Sequence, residues 1–404
     1  MKRALIFSLA YFPKHVGGAE VAIKEITDRI DPSEIEFHLV CLRFDSTLPL
    51  VEKIGNVTVH RIGFARENPS MSDLRGFPLK LNKYLFQFWA AWQAMRLHRR
   101  YQFDAIWAMM AHSCGVPAAI MKFFYPDVKY VLTLQEGDPP EYIERLAKPV
   151  WPLFVRAFTT ADTIQCISHF LAAWAKRMGF AGVPIVVPNA VDVKHFANVF
   201  SDAELNDLRM KLGKREGERY VITTSRLVPK NAVDVVIRAM KHLPADVTFL
   251  VLGIGPDEAE LKALAAYEGV ADRVRFLGQV GHAELPKYLR VADVFTRPSR
   301  SEGMGNSFVE AMAAGIPVVA TQAGGIVDFL FDPEVNPEKP STGLFAKIGD
   351  PEETARQLKR FLDDAVLRDT CTKNAKTLVT AEYDWDLIAT KMRDHVFRPL
   401  WKTL

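Results

Sequence analysis

Three runs follow one another closely in this chain: Val294-Phe295-Thr296, then Ser299-Arg300-Ser301-Glu302-Gly303-Met304-Gly305-Asn306-Ser307-Phe308-Val309-Glu310-Ala311-Met312-Ala313-Ala314-Gly315, then Val318-Val319-Ala320. A short apolar run reads as a buried strand, the glycine-bearing turn feeds a helix, and a second β-branched run reads as the next strand. Two strands joined through a helix are parallel, so this segment is one βαβ unit.

The same alternation extends in both directions. Ahead of it lie the strand-like runs Tyr220–Thr224, Val247–Leu252 and Val274–Leu277. A first series comprises Ala4–Ala10, Phe37–Leu42, Val57–Ile62, Ala105–Ala108, Tyr130–Leu134, Thr163–Ile167 and Ile185–Val187, with helical windows such as Ala19–Ile30 and Leu81–His98 between them. The polar stretch Ser201 to Arg219 separates the two series. After Asp350 the pattern is helical only, and Trp385, Ile388, Met392 and Val396 recur at helical spacing in a terminal helix that must bury that face. The expected fold class is α/β: two Rossmann-like domains facing across a cleft, residues 1–197 and 198–380. A C-terminal helix, 381–404, can cross back to pack on the N-terminal domain.

A length of 404 residues favours two or three domains. The 51 basic and 48 acidic residues leave a net charge of +3, too small for bulk attraction to nucleic acid. Four scattered cysteines, Cys41, Cys114, Cys166 and Cys371, form no CxxC pair, which excludes a zinc ribbon or disulfide framework and points to a reducing, cytoplasmic setting. The apolar start, Met1 to Phe12, ends in Pro13-Lys14 without a small-residue cleavage site and reads as a first strand, not a signal peptide. No run reaches the ~18–20 apolar residues of a spanning helix, so any membrane contact would be peripheral. No two histidines stand three or four apart, and Asp363-Asp364 lies in the terminal helical region, so no metal site is expected.

The chemistry concentrates around Glu302 and Glu310. A loop carboxylate at Glu302 can accept sugar hydroxyls, and Glu310, one turn into the helix, can reach a ribose diol. A purely structural alternative exists, because Ser307-Phe308-Val309-Glu310 has the form of a capping box. Backbone amides where the helix starts can face a phosphate.

The segment resembles the Glu-x7-Glu motif of GT-B fold retaining glycosyltransferases of family four, the glycosyl transferases group 1. Gly17-Gly18-Ala19-Glu20 resembles that family's N-terminal glycine loop, Ser225-Arg226-Leu227-Val228-Pro229-Lys230 its basic phosphate clamp, Pro188-Asn189-Ala190-Val191-Asp192 its interdomain segment, and Gly324-Gly325 the turn after its next strand. The resemblance implies transfer of a sugar from a UDP- or GDP-sugar to a saccharide or lipid-linked saccharide, in glycan, polysaccharide or glycolipid synthesis. It implies retention of configuration and no cofactor.

On that reading Arg226 and Lys230 neutralise the leaving diphosphate, and Glu302 and His112 join them as catalytic candidates. The donor would be bound by Gly17, Gly18, Arg226, Lys230, Gly253, Gly255, Glu302, Gly303, Met304, Gly305, Asn306 and Glu310. Gln135, Glu136 and Asp138 stand on the acceptor side, where many family members have a histidine. Lys230 follows Arg226 by four residues where five is common, and Asn231-Ala232 replaces a glycine.

Two other classes of function stay open. Leu250-Val251-Leu252-Gly253-Ile254-Gly255 opens like a dinucleotide fingerprint, but Glu258 stands where its third glycine belongs, which weakens an NAD-dependent reading. The fold could also serve as a non-catalytic sugar-nucleotide or partner-binding module. Finally, Tyr84 to Trp92, flanked by Lys80, Lys83, Arg96, Arg99 and Arg100, reads either as an interfacial helix touching a membrane or as a buried helix with a basic end.

Overall fold

The computed structural model describes residues 1–14, 17–69 and 73–401. The chain divides into two compact units, Met1–Asn189 with Trp385–Leu404, and Ala190–Asp384.

The first unit is built on eight strands: β1 (Lys2–Phe7), β2 (Ile35–Asp45), β3 (Val51–Ile54), β4 (Val57–Arg66), β5 (Ala105–Met109), β6 (Lys129–Leu134), β7 (Thr163–Cys166) and β8 (Ile185–Val186). Their order is β3-β4-β2-β1-β5-β6-β7-β8, and all pairs are parallel except the β3–β4 hairpin. The five residues of β5 are all buried, as expected where helices cover both faces of a parallel sheet. Helices α1 (Gly18–Asp28), α2 (Leu79–Tyr101) and α3 (Val116–Phe124) belong to this cover.

The second unit carries β9 (Arg219–Thr224), β10 (Val247–Leu252), β11 (Val274–Gly278), β12 (Val294–Arg297), β13 (Val318–Thr321) and β14 (Leu344–Ala346), all parallel, in the order β11-β10-β9-β12-β13-β14. Val221, Phe249, Val294, Val319 and Leu344, one from each of five strands, form a core with Leu358 and Phe361 of the helix Pro351–Asp363. Burying each such side chain contributes roughly 1.5–3 kcal/mol.

The strand-like runs of the sequence lie in twelve of these strands. β3 escaped because it is a four-residue exposed edge, and β14 because it has only three residues. The polar stretch after Ser201 holds the helix Asp202–Lys211, opened by a capping box in which Ser201 and Glu204 satisfy each other's backbone amides.

The terminal segment returns to the first unit, but as a helix Trp385–Lys391, a wider π-turn Met392–Phe397 and a short helix Arg398–Leu400. Phe397 packs edge-on against Phe37 of β2 and Trp107 of β5, at ring separations of 6.0 and 5.1 Å. Arg29, just after α1, pairs with Asp386, and Arg398 with Glu34, both at 2.7 Å. The units divide at 189/190 and 384/385, where the sequence reading places boundaries at 197/198 and 380/381. The shift has a local cause: Val191 bridges Asp384 in parallel fashion, and the Val191 amide donates to the Tyr383 carbonyl at 2.9 Å. Residues 190–197 are thereby tied to the second unit.

Candidate functional site

Each sheet reverses its winding once. In the second, the chain passes from β9 outward through β10 and β11, then returns to the other side of β9 as β12. The loops leaving β9 and β12 therefore lie at the topological switch point, at the carboxyl ends of the strands, the place where open parallel sheets bind ligands. The β9 loop carries Arg226 and Lys230, and the β12 loop carries Glu302 and leads to Glu310.

The β9 loop is held from behind by the chain after β10. The Leu227 amide donates to the Ile254 carbonyl at 3.0 Å, and the Ser225 amide to the Leu252 carbonyl at 2.9 Å. A Cβ on Gly253, whose φ is +142°, would stand 1.8 Å from the Ser225 carbonyl oxygen, and one on Gly255 would stand 2.1 Å from that of Leu227. These two glycines, expected beside the donor, are thus required by backbone packing beneath the clamp, which also accounts for their likeness to a dinucleotide fingerprint. The Arg226 side chain is exposed and makes no hydrogen bond or ion pair among the described residues. Asn231 is buried and donates to the Arg226 carbonyl at 2.7 Å, and Ala232 takes the left-handed conformation, φ 55°, that glycine adopts most easily.

The two loops are joined to each other. The Arg300 amide donates to the Lys230 carbonyl at 2.7 Å, while the Arg300 guanidinium grips Asp234 with two bonds of 2.9 and 2.7 Å. Desolvation works against the Asp234 charge, but Arg300 and Arg238 hold its carboxyl below the usual range.

Sequence reasoning missed Arg297. It ends β12, is only 7% exposed, and donates to Glu302 at 2.7 Å and to the Ser299 hydroxyl at 3.2 Å. Its guanidinium lies 4.5 Å from the Phe308 ring centre and reaches the Thr224 carbonyl of β9 at 3.4 Å. A charged residue closing a fully buried strand needs a partner, and that was the available signal. Behind Glu302 the chain is close-packed too: a Cβ on Gly324, φ +57°, would stand 1.7 Å from the Glu302 carbonyl oxygen.

The helix after this loop spans Asn306–Ala314 and is entered through Gly305, φ +99°. Glu310 is therefore its fifth residue, and Ser307 its second, so the capping-box alternative does not hold. Glu310 is half-buried and its carboxylate makes no hydrogen bond or ion pair among the described residues. Desolvation pushes its carboxyl up to about 7, with the charge of Arg297 acting the other way. Gly303, Met304 and Gly305 are buried and Asn306 is half-buried, so the turn offers a ligand backbone more than the Met304 side chain.

The first sheet reverses between β1 and β5, and the remaining expected residues lie near that point. Gly17 caps α1, with Gly18 as its first residue, and the Gly17 amide is already bound to Glu20 at 2.7 Å, so it is not an open donor for a phosphate. After β5 the chain makes a π-turn, Ala111–Gly115, holding a half-buried His112 whose imidazole burial pushes toward the neutral form. Glu136, expected on the acceptor side, is buried instead. It accepts from the Ala111 amide at 2.6 Å and the Gln135 amide at 3.0 Å, and so anchors the His112 turn to the end of β6. Desolvation pushes it up to about 7 against the pull of these amides. Gln135 exchanges amide hydrogen bonds with Asn189 at 3.1 and 3.2 Å, and Asp138 is half-buried beside them in sequence.

Residues 206–378 match the family model described as Glycosyl transferases group 1, and residues 16–195 the model described as Glycosyltransferase Family 4. An uncharacterized glycosyltransferase of Methanocaldococcus jannaschii is 31% identical over 405 residues, covering 96% of each chain. The GDP-mannose-dependent monoacylated alpha-(1-6)-phosphatidylinositol monomannoside mannosyltransferase of Corynebacterium glutamicum is 30% identical over 246 residues, 58% of this chain and 61% of that one, so the match spans less than two thirds of that relative. The crystal structure of Anabaena HepE in complex with UDP and glucose superposes with a TM-score of 0.75 at 21% identity, over 98% of this chain and 99% of that one, a likeness of fold. With two parallel α/β sheets, both family models matched in order and a relative aligned almost end to end, this chain belongs to family four of the GT-B glycosyltransferases, the glycosyl transferases group 1.

Proposed function

We propose that the chain transfers a sugar from a UDP- or GDP-sugar to a hydroxyl of a saccharide or lipid-linked saccharide, with retention of anomeric configuration. The observation that carries this is the convergence at one switch point of the Arg226 guanidinium, without a partner among the described residues, the Lys230 turn and the carboxylates of Glu302 and Glu310, the two loops being joined through Arg300 and Arg297. The diphosphate lies against the β9 loop and the first turn of the helix Asn306–Ala314. Glu310 takes the ribose diol, and Glu302, oriented by Arg297, takes hydroxyls of the sugar.

The acceptor oxygen attacks the anomeric carbon from the face the diphosphate leaves. A carbon–oxygen bond to the acceptor forms as the bond to the phosphate oxygen breaks, and the hydroxyl proton passes to the departing phosphate. No protein nucleophile is required. Arg226 and Lys230 balance the charge growing on the diphosphate, so the reaction proceeds without a divalent cation. The first unit, with His112 and Gln135 near its own switch point, takes the acceptor. Both nucleotide bases have support, since the Corynebacterium relative is named for GDP-mannose and the Anabaena structure holds UDP. The setting is the cytoplasm, at the inner face of a membrane, in glycan or glycolipid synthesis.

The test is a panel of UDP-, GDP- and ADP-sugars scored by thermal stabilisation, followed by release of nucleoside diphosphate in excess chelator and by the anomeric configuration of the product. A ligand that binds only the folded state raises the melting temperature. Inverted product would overturn retention; no stabilisation by any donor would overturn the reading as a whole.

A further inference from the structure

The outer face of α2 carries large exposed aromatic side chains and ends in basic residues. Its buried side consists of Asn82, Phe86, Ala90, Ala91, Ala94 and Leu97, which pack on the first unit. On the opposite side Tyr84 is 66%, Phe88 49% and Trp92 56% exposed, with Leu81 beside them and Phe77, 86% exposed, just ahead of the helix. Positions 81, 84, 88 and 92 follow the three- and four-residue spacing of one helical stripe. The stripe continues through Arg96, whose guanidinium lies 4.7 Å from the Trp92 ring centre, to Arg99. Lys80, Lys83 and Arg100 flank it, and α2 contains no aspartate or glutamate.

Large aromatics are costly to leave in water, and a contiguous stripe of them marks a contact surface. Beside it, Ile62, Gly63, Phe64, Trp89 and Trp92 line an apolar hollow of about 370 Å³. Charge decides the occupant. A second copy packed antiparallel on this helix would set Arg96 and Arg99 against Lys80 and Lys83, so self-association is opposed. An anionic lipid surface suits both halves: aromatic rings seat at the boundary of headgroups and acyl chains, and arginine and lysine remain at the level of the phosphates. No helix among the described residues is long and apolar enough to cross a membrane, so the contact is a surface one.

We infer that α2, through Leu81, Tyr84, Phe88, Trp92, Arg96 and Arg99, docks the protein on bilayers containing anionic phospholipid. Docking is a property of this surface alone and stands whether or not the chain transfers sugar.

The full chain is to be mixed with vesicles of phosphatidylcholine containing one third phosphatidylglycerol, and with vesicles of phosphatidylcholine only, at low and high salt. Binding is read by co-sedimentation and by quenching of tryptophan emission by brominated lipid. Strong binding to the anionic vesicles, weakened by salt, is expected. Each basic residue near an anionic surface strengthens binding about 5-fold, so Arg96→Gln with Arg99→Gln should weaken it about 25-fold. Phe88→Ser with Trp92→Ser should abolish it and remove the brominated-lipid quenching. All four positions are exposed, and melting temperatures close to that of the parent chain check that the variants fold. Failure of the parent chain to bind anionic vesicles, or undiminished binding by both double variants, would overturn the inference. Measured transfer to a soluble acceptor by the Phe88→Ser, Trp92→Ser variant would separate docking from catalysis.

Discussion

The guanidinium of Arg297 stands 2.7 Å from the carboxylate of Glu302, with both side chains largely shielded from water. A pair so placed is stabilised less by its net energy than by the cost of breaking it, because a lone buried charge has no water to turn to. It also fixes where Glu302 points. Arg297→Met should therefore destabilise the protein by about 3–5 kcal/mol, whereas Glu302→Gln, which keeps an acceptor for the guanidinium, should cost much less yet impair sugar transfer. Urea denaturation of both variants checks this. An unfolding midpoint for Arg297→Met equal to that of the parent chain would show that the pair does not hold the loop.

The guanidinium of Arg226 presents the opposite case, exposed and without a partner among the described residues. Its removal should leave the unfolding free energy within about 0.5 kcal/mol, as for most surface substitutions. If it stabilises the leaving diphosphate, Arg226→Ala should lower kcat/KM about 10²- to 10³-fold. Lys230→Ala belongs in the same assay. Parent-like kinetics in both variants would remove the phosphate clamp from the mechanism.

Glu310 links pH to both stability and binding. Its folded carboxyl is pushed up to about 7 from an ordinary 4.5, so the folded state holds its proton more tightly than the unfolded one. Its contribution to stability is then complete below about pH 4.5 and is lost as pH rises through about 7. Glu310→Gln, which cannot ionise, should raise the melting temperature at pH 8 more than at pH 5. Donor binding should run the other way: an ionised carboxylate is the better acceptor for a ribose diol, so affinity for the nucleotide-sugar should rise from pH 6 to pH 8 and become flat in the variant. Calorimetric titration at three pH values measures it. A parent chain with pH-independent affinity would argue against Glu310 as the ribose ligand.

Much of the fold was legible because parallel sheets buried on both faces write themselves as continuous apolar runs, and the glycine turn between β12 and its helix is locally encoded. The partners were not. Nothing in the spacing of Gly253 and Gly255 says that they lie under the carbonyls of Ser225 and Leu227, since that contact joins two neighbouring strands through backbone alone. Glu136 was placed on the acceptor side because it follows β6 where many members of the family have a histidine; its burial follows from the amides of the π-turn after β5, which no sequence period announces. The exposure of Tyr84, Phe88 and Trp92 was equally undetermined, because an all-round apolar helix reads the same whichever face is covered.

Ala232 closes the clamp turn in a left-handed conformation while being fully buried, and these two facts oppose each other energetically. For a residue with a Cβ the left-handed region costs about 1–2 kcal/mol. A glycine there would relieve that strain, but would lose about 0.5–1 kcal/mol through its greater freedom when unfolded and about 0.8 kcal/mol through the loss of a buried methyl group. The terms nearly cancel, which explains how alanine can stand where a glycine is common. Ala232→Gly should therefore change stability by no more than about 0.8 kcal/mol and leave the donor KM unaltered. Ala232→Val is a different matter: a β-branched residue is a true outlier in that region, and added methyls overpack the site at about 1–3 kcal/mol. Its total loss should be at least about 1–3 kcal/mol, with a raised donor KM as the Lys230 turn shifts. A valine variant with the stability and KM of the parent chain would mean that the turn adapts freely, and the rigid placement of Lys230 would have to be given up.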